Sequence, residues 1–106
     1  MGFGLPGRHR RQTGAPDREV CLFAGDGGLQ MTIQELGRSS IAGRRKIVLL
    51  NNSYLGMVRQ WQELFYDRRY SFTELANPDF GLIARGNGIA YRCVERREEL
   101  AGAVAR

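Results

Sequence analysis

The residues of this chain best suited to chemistry are an acidic residue between glycines and a pair of asparagines. Asp26 lies in a Gly-Asp-Gly triplet that follows the apolar segment Val20–Ala24. Asn51 and Asn52 come 23 residues after that triplet, directly behind a second apolar segment, Lys46–Leu50. A carboxylate and an amide each offer an oxygen to Mg²⁺, a hard ion that prefers oxygen ligands and takes few of them from protein. Together the two motifs predict a site for a magnesium-bound diphosphate.

The elements around these residues support the same interpretation. Gly25, Gly27 and Gly28 have no side chains, so backbone N–H groups can approach phosphate oxygens at the start of a predicted helix. The apolar segments 20–24 and 46–50 are predicted strands, and in an open parallel sheet both end at the carboxyl edge, where such folds bind ligands. A Gly-Asp-Gly triplet alone is common in turns. With the asparagines it is typical of a thiamine diphosphate and magnesium site.

Longer stretches of the sequence resemble the C-terminal cofactor-binding domain of the acetolactate synthase (acetohydroxyacid synthase) large subunit. They are Met1–Pro6, Gly25–Leu36 and Asn51–Phe80, and the segment Leu55–Gln62 (LGMVRQWQ) is the most specific. The resemblance covers nearly the whole chain. It implies a three-layer α/β fold with a mostly parallel sheet, in which residues 1–106 form one thiamine diphosphate-binding domain.

The resemblance also implies roles for individual residues. Asp26, Asn52 and the backbone carbonyl of Tyr54 would be the Mg²⁺ ligands. Met1 would support the bent conformation of the cofactor, and Met57 and Trp61 would line the substrate channel. The implied cofactor-binding set comprises Met1, Gly25, Asp26, Gly27, Gly28, Met31, Asn52, Tyr54, Leu55, Gly56 and Met57. No catalytic residue is predicted within this chain.

What the resemblance implies about the parent enzyme goes beyond 106 residues. Acetolactate synthases condense two 2-keto acids, such as pyruvate, with loss of CO₂ in branched-chain amino-acid biosynthesis. Another domain of these enzymes binds FAD. A pyrimidine-binding domain of a partner subunit, in a homodimer or tetramer, completes the cofactor site. A regulatory subunit can also bind. We therefore expect this chain to be a cytoplasmic fragment that begins at an internal methionine and is inactive alone.

Two segments depart from the family pattern. The stretch between Gly28 and Asn51 is one residue shorter, a change that loops tolerate. Gly7–Ala15 reads GRHRRQTGA where the family has a small-residue helix close to AAIGAKLAR. Burying such charges against a core costs several kcal/mol by rough estimate. Codons compatible with Gly7–Pro16, read one base later, translate as AAIGAKLAR, which leads to the hypothesis of a compensated frameshift; a genuine basic surface segment is the alternative.

Composition leaves other functional classes open. The net charge of +5 and pI of 9.9 are compatible with a small nucleic-acid-binding protein. The basic residues are scattered, however, so neither nucleic acid nor membrane is a predicted partner. Another thiamine diphosphate enzyme would share Asp26 and Asn52 but not the segment through Trp61, and a non-catalytic remnant would retain only the fold.

The periodicity of apolar residues predicts the remaining elements. Besides the two strands, we expect helices over 29–40, with Met31, Ile33 and Leu36 inward, and over 54–66, with Val58 and Phe65 in the core. Asn77 is predicted to cap a helix over 80–87 that has Pro78 in its first turn. A last strand is predicted over 89–94 and a terminal helix over 95–106. Cys21 and Cys93 would lie in buried strands, without a disulfide or a zinc site.

Overall fold

The computed structural model describes residues 1–39 and 45–105, and its centre is a pair of parallel strands. Strand β1, Val20–Gly25, pairs with β2, Arg45–Leu50, so that Val20 lies opposite Arg45 and Gly25 opposite Leu50. Both strands were predicted, and the α/β class with a parallel sheet is confirmed. Because the strands run parallel, the segments that follow Gly25 and Leu50 leave from the same edge.

Helices supply the buried side chains of the core. Leu5, Leu29, Leu36 and Phe80 are buried together, and apolar residues of both strands pack against them. Among the described residues the α-helices are α1 (Gly4–Gly14), α2 (Asp26–Gln30), α3 (Leu36–Ser39), α4 (Gly56–Phe65), α5 (Phe80–Gly86) and α6 (Leu100–Val104). Within residues 1–39 and 45–105, none of them has the length and apolar content that crossing a bilayer requires.

The side chains of β1 alternate between the core and solvent. Leu22 and Ala24 pack against the core, whereas Cys21 is exposed and Phe23 is 69% exposed. Successive residues of a strand point to opposite faces, so only one face of this strand is covered by the described residues. The prediction that Cys21 and Cys93 are buried is therefore wrong; both are exposed, free thiols.

The helix predicted over 29–40 is broken into shorter pieces. Helix α2 ends at Gln30, a 3₁₀ turn covers Ile33–Glu35, and α3 follows. The break lies at Thr32, whose φ of −135° is not helical and whose hydroxyl donates to the Gly2 carbonyl at 3.0 Å. Leu36 is buried and Ile33 packs on the core as predicted, but Met31 is 53% exposed. Residues 40–44, within the stretch that is one residue shorter than in the family, lie outside the described residues.

The C-terminal third also differs from expectation. Asp79, rather than Asn77, caps α5, because its carboxylate accepts from the Leu82 N–H at 2.9 Å. No strand forms over 89–94 in the described chain: Ile89 donates to the Ala84 carbonyl and packs on the core, so this stretch is held by turn and side-chain contacts instead of a ladder. The predicted terminal helix is shorter, since a 3₁₀ turn over Arg97–Glu99 precedes α6, and residue 106 is not described.

The basic segment forms a helix that packs on the sheet. Arg8, His9 and Gln12 of α1 are buried, and His9 Nε2 lies 3.1 Å from the Glu35 carbonyl oxygen. Gln12 Nε2 donates to the Arg18 carbonyl at 2.9 Å. Under the frameshift hypothesis, small residues would occupy these buried positions of α1. That hypothesis stays a prediction.

Candidate functional site

The buried carboxylate of Asp26 is the centre of the site. Asp26 is the first residue of α2, directly after β1, and only 2% of its surface is exposed. Oδ1 accepts from the N–H of Gly27 at 2.9 Å. Oδ2 accepts from the N–H of Ser53 at 2.6 Å and from Nδ2 of Asn77 at 2.7 Å. The carboxylate therefore joins the end of β1 to two segments far along the chain.

The loop after β2 is shaped to meet this carboxylate. Ser53 adopts a left-handed conformation with φ of 60°, which is uncommon for a residue other than glycine and costs about 1–2 kcal/mol. The turn aims the Ser53 N–H at Asp26. It also directs Tyr54 into an antiparallel bridge with Glu74, held by the Leu55 N–H to Thr73 carbonyl bond at 2.8 Å.

This bridge orients the peptide groups of Tyr54. The flanking bonds, from Leu55 N–H to Thr73 and from Leu75 N–H to Ser53, leave the Tyr54 N–H and C=O directed away from the partner segment. The Tyr54 N–H donates to Asn52 Oδ1 at 3.1 Å. The Asn52 amide oxygen and the Tyr54 carbonyl thus belong to one short loop, and the Ser53 N–H between them contacts the Asp26 carboxylate.

Asn77 belongs to the site, although the sequence analysis placed it at a helix cap. Its Nδ2 lies 2.7 Å from Asp26 Oδ2, 2.6 Å from Asn51 Oδ1 and 3.4 Å from Ser53 Oγ. Its Oδ1 accepts from Gln30 Nε2 at 2.7 Å. One sequence signal was available: Asp79 is an equally good cap two residues later, which left Asn77 without a local role.

Close packing against leucine side chains favours glycine at position 27. A Cβ placed on Gly27 would lie 2.9 Å from Leu55 Cδ2, 3.1 Å from Leu75 Cδ1 and 4.0 Å from Met1 Cε. Open space surrounds Gly25 and Gly28 instead, and a Cβ on Gly56 would come 3.9 Å from Asn52 Nδ2. Of the residues predicted from sequence, the structure therefore gathers Met1, Asp26, Gly27, Asn52, Tyr54, Leu55 and Gly56 around one edge of the sheet.

Other predicted residues lie on exposed surfaces. Met31 is beside Gly2, whereas Met57 (71% exposed) and Trp61 (59% exposed) are carried by α4. Val58 and Phe65 on the same helix are also exposed, so their predicted core packing is wrong. Periodicity correctly identified an amphipathic helix, but it cannot say what covers the apolar face, and no described element does.

A basic side chain connects α4 to the loop. The Arg59 guanidinium lies 4.2 Å from the ring centre of Tyr54 and 5.0 Å from that of Tyr70. Interaction with the Tyr70 hydroxyl is the main cause that raises the pKa of Arg59 above its ordinary value. This stacked cation holds α4 against Tyr54.

The ligand chemistry suits a hard cation with few protein ligands. In the part of the chain that the structure describes, no three His, Cys, Asp or Glu side chains cluster in a way that could hold a metal ion. The Asp26 carboxylate, the Asn52 amide oxygen and the Tyr54 carbonyl are instead oxygen donors on two segments that the bond from Ser53 to Asp26 joins. Such a set suits Mg²⁺, which retains waters or phosphate oxygens in its remaining positions.

Comparison with known proteins shows which proteins this chain is similar to. The model of the C-terminal thiamine pyrophosphate-binding domain of thiamine pyrophosphate enzymes matches residues 1–106. The acetolactate synthase large subunit of Parasynechococcus marenigrum is 49% identical over 103 residues, covering 94% of this chain and 17% of that protein. The large subunit from Corynebacterium glutamicum is 46% identical (98% and 18% covered), and that of isozyme 2 from Escherichia coli is 44% identical (98% and 19% covered).

The chain therefore spans less than a fifth of the length of these relatives. The resemblance inferred from Met1–Pro6, Gly25–Leu36 and Asn51–Phe80 is confirmed by the identities along nearly the whole chain. Because the domain model matches from the first residue to the last, the chain belongs to the family of C-terminal thiamine pyrophosphate-binding domains of thiamine pyrophosphate enzymes.

Proposed function

We propose that this chain binds thiamine diphosphate through Mg²⁺ and that it serves as the cofactor-anchoring domain of an acetolactate synthase large subunit. The metal ligands would be Asp26 Oδ, Asn52 Oδ1 and the Tyr54 carbonyl. The observation that carries the proposal is the meeting of a buried carboxylate with the Asn52–Tyr54 loop at the carboxyl edge of two parallel strands.

The hydrogen bonds already made leave room for a metal ion. A carboxylate has about four acceptor positions, and Asp26 uses three of them for Gly27, Ser53 and Asn77. The Asn52 amide oxygen has two lone pairs and accepts one hydrogen bond among the described residues, from the Tyr54 N–H. Asp26 and Asn52 thus each retain an acceptor position, while their hydrogen bonds hold them in place before a cation arrives.

The surrounding residues suit an elongated, charged cofactor. Open space at Gly25 and Gly28 lets phosphate oxygens approach the backbone, whereas the Leu55 side chain occupies the space where a Cβ on Gly27 would lie. Met1, Met31, Leu55, Gly56 and Met57 would complete the cofactor contacts. Phosphate groups bind to N–H groups at the start of a helix; in α2 the Gly27 N–H already donates to Asp26 Oδ1, so phosphate contacts would fall to the other N–H groups of the first turn.

The chemistry would come from the cofactor, and the chain would orient it. When bound, thiamine diphosphate supplies the electron sink for decarboxylation of a 2-keto acid such as pyruvate and for its joining to a second 2-keto acid. Met57 and Trp61, exposed on α4, would border the substrate.

The large subunits to which this chain is similar are more than five times as long as the aligned region. We therefore assign the other functions of such an enzyme to domains outside this chain. A pyrimidine-binding domain of a partner subunit in a homodimer or tetramer would complete the site, an FAD-carrying domain would adjoin it, and a regulatory subunit could bind. A cytoplasmic location accords with this role.

Cofactor-dependent stabilisation tests the metal site. At a ligand concentration of 100 times Kd, binding stabilises the folded state by about 2.7 kcal/mol, which is roughly a 10 °C rise in the melting temperature of a chain this small. We expect this rise when thiamine diphosphate and Mg²⁺ are added together to the purified chain, and no rise with Asp26→Ala. Asp26→Asn keeps the hydrogen bonds from Ser53 and Asn77 and therefore the fold, and we expect a strongly reduced rise with it. The matched variant Asp17→Ala, at an exposed aspartate, should behave as the parent chain does.

Two results would overturn the assignment. One is a rise that occurs equally without a divalent metal, and the other is a full response of Asp26→Ala. The acetolactate synthase part has a separate test, in which this chain replaces the aligned segment of the Escherichia coli isozyme 2 large subunit. We expect that chimera to form acetolactate from pyruvate, and a chimera that binds cofactor without forming acetolactate would restrict the proposal to cofactor binding.

A further inference from the structure

The Asn77 side chain hydrogen-bonds to four other side chains of the described site, yet it is not among the proposed metal ligands. It lies three residues after Glu74, which is bridged to Tyr54, and two residues before Asp79, the N-cap residue of α5. Its amide nitrogen reaches Asp26 Oδ2 and Asn51 Oδ1 at 2.7 and 2.6 Å. One side chain thus contacts the segments that follow both strands.

The orientation of this amide is fixed by a fourth residue. Gln30, at the end of α2, donates through Nε2 to Asn77 Oδ1 at 2.7 Å. If the Asn77 amide were turned over, its nitrogen would face the Gln30 donor and its oxygen would face the Asp26 carboxylate. Both arrangements are unfavourable. The carboxylate of Asp26 only accepts, so it selects the orientation in which Asn77 donates to it, and Gln30 holds the amide in that orientation.

We propose that Asn77 is a positioning residue for the metal site, which sets the direction of the Asp26 carboxylate and its separation from the loop that carries Asn52, and that Gln30 acts through Asn77. This inference rests on the proposed function. By occupying one acceptor position of Oδ2, while Ser53 occupies another, Asn77 determines which lone pairs remain for a cation.

The demands of Mg²⁺ explain why such positioning matters. The ion requires nearly octahedral geometry with ligands at about 2.0–2.1 Å, so small displacements of one ligand are costly. The Asp26 carboxylate and the Asn52 loop belong to segments joined to different strands, and Asn77 bridges them from a third segment 51 residues after Asp26. Outer residues that orient metal ligands typically change metal affinity by about 10- to 100-fold.

The experiment measures the half-saturating Mg²⁺ concentration at fixed, excess thiamine diphosphate, from the melting temperature of the purified chain. Asn77→Leu keeps the size of the side chain but removes all its hydrogen bonds. We expect it to raise the half-saturating Mg²⁺ concentration about 10- to 100-fold. Asn87→Leu is the matched control, because Asn87 also makes a side-chain bond, to the Ile83 carbonyl, but lies at the far end of α5. It should leave the half-saturating concentration unchanged.

Gln30→Leu distinguishes the relay from a direct effect. Losing one neutral hydrogen bond corresponds to an increase of about 2- to 10-fold, and Gln34→Leu, at an exposed glutamine, should have no effect. If Gln30 acts through Asn77, the double variant should need no more Mg²⁺ than Asn77→Leu alone. Multiplying effects of the two substitutions would overturn the relay.

The melting temperature without ligands separates positioning from a structural role. A purely structural Asn77 would lower that temperature in Asn77→Leu while leaving the half-saturating Mg²⁺ concentration within about twofold of the parent, and this result would overturn the inference alone. Absence of any Mg²⁺-dependent rise in the parent chain would overturn the proposed function and the inference with it. A normal response in the parent, lost in Asp26→Ala and shifted in Asn77→Leu, supports both.

Discussion

Replacing Asp26 by asparagine tests whether the buried carboxylate organises the site before any cofactor binds. An asparagine has the same shape, but one of its terminal atoms is an NH₂ group, which must face a donor. The less costly orientation places it against the Gly27 N–H, now 2.9 Å from Oδ1, and keeps the oxygen for Ser53 and Asn77. One bond to a charged acceptor is lost, which costs about 1.5–3 kcal/mol.

The expected result for Asp26→Asn is therefore a free energy of unfolding lower by about 2–3 kcal/mol, with an unchanged dependence on urea concentration. It is measured by urea denaturation followed by circular dichroism, without Mg²⁺ or thiamine diphosphate. Asparagine is more informative than alanine here. Losing all three bonds would cost about 4.5–9 kcal/mol, which is comparable to the whole stability of a small domain.

The control for this experiment is Asp17→Asn, at an exposed aspartate, which should change the free energy of unfolding by no more than about 0.5 kcal/mol. If Asp26→Asn were as stable as this control, neither the hydrogen bond from Gly27 nor the charge of the Asp26 carboxylate would stabilise the metal-free site. The reasoning that Asp26 is preorganised for a cation would then be refuted.

Three further predictions concern the framework around the site. Asp79→Ala should lower the free energy of unfolding by about 0.5–2 kcal/mol, because the Asp79 carboxylate caps α5 by accepting from the Leu82 N–H. Asp79→Asn can still cap the helix and should lose much less stability. Equal losses in both variants would contradict capping. Partial burial, followed by interaction with Cys93, raises the pKa of Tyr91. A raised pKa stabilises the folded state below the unfolded-state value near 10, and this stabilisation is lost as pH rises through the folded-state pKa. Tyr91→Phe should therefore lose less stability above about pH 10 than the parent chain in urea titrations, and identical pH profiles would refute this. Replacing Gly7–Ala15 by AAIGAKLAR removes the buried arginine and histidine of α1 and should raise the free energy of unfolding by about 1–4 kcal/mol; a destabilised variant would show that the basic helix is adapted to its site.

The sequence alone predicted the two strands and the position of Asp26 behind the first of them. These features follow from local rules: a run of apolar residues forms a buried strand, glycines allow a sharp turn after it, and parallel strands end at one edge. The meeting of Asp26 with the loop after β2 is a consequence of those rules. The family resemblance, read from the segment Leu55–Gln62, was likewise available without coordinates.

Only the tertiary structure decided the role of Asn77 and the fate of several apolar stretches. Asn77 contacts Asp26 across 51 residues, and no local periodicity encodes a contact of that range. The same limit explains why Cys21 and Phe65 were wrongly predicted to be buried and why residues 89–94 were wrongly predicted to form a strand. A local pattern does not say which other segment lies beside an element. Whether an apolar face is buried depends on which other segment packs against it, and that is a property of the folded chain as a whole.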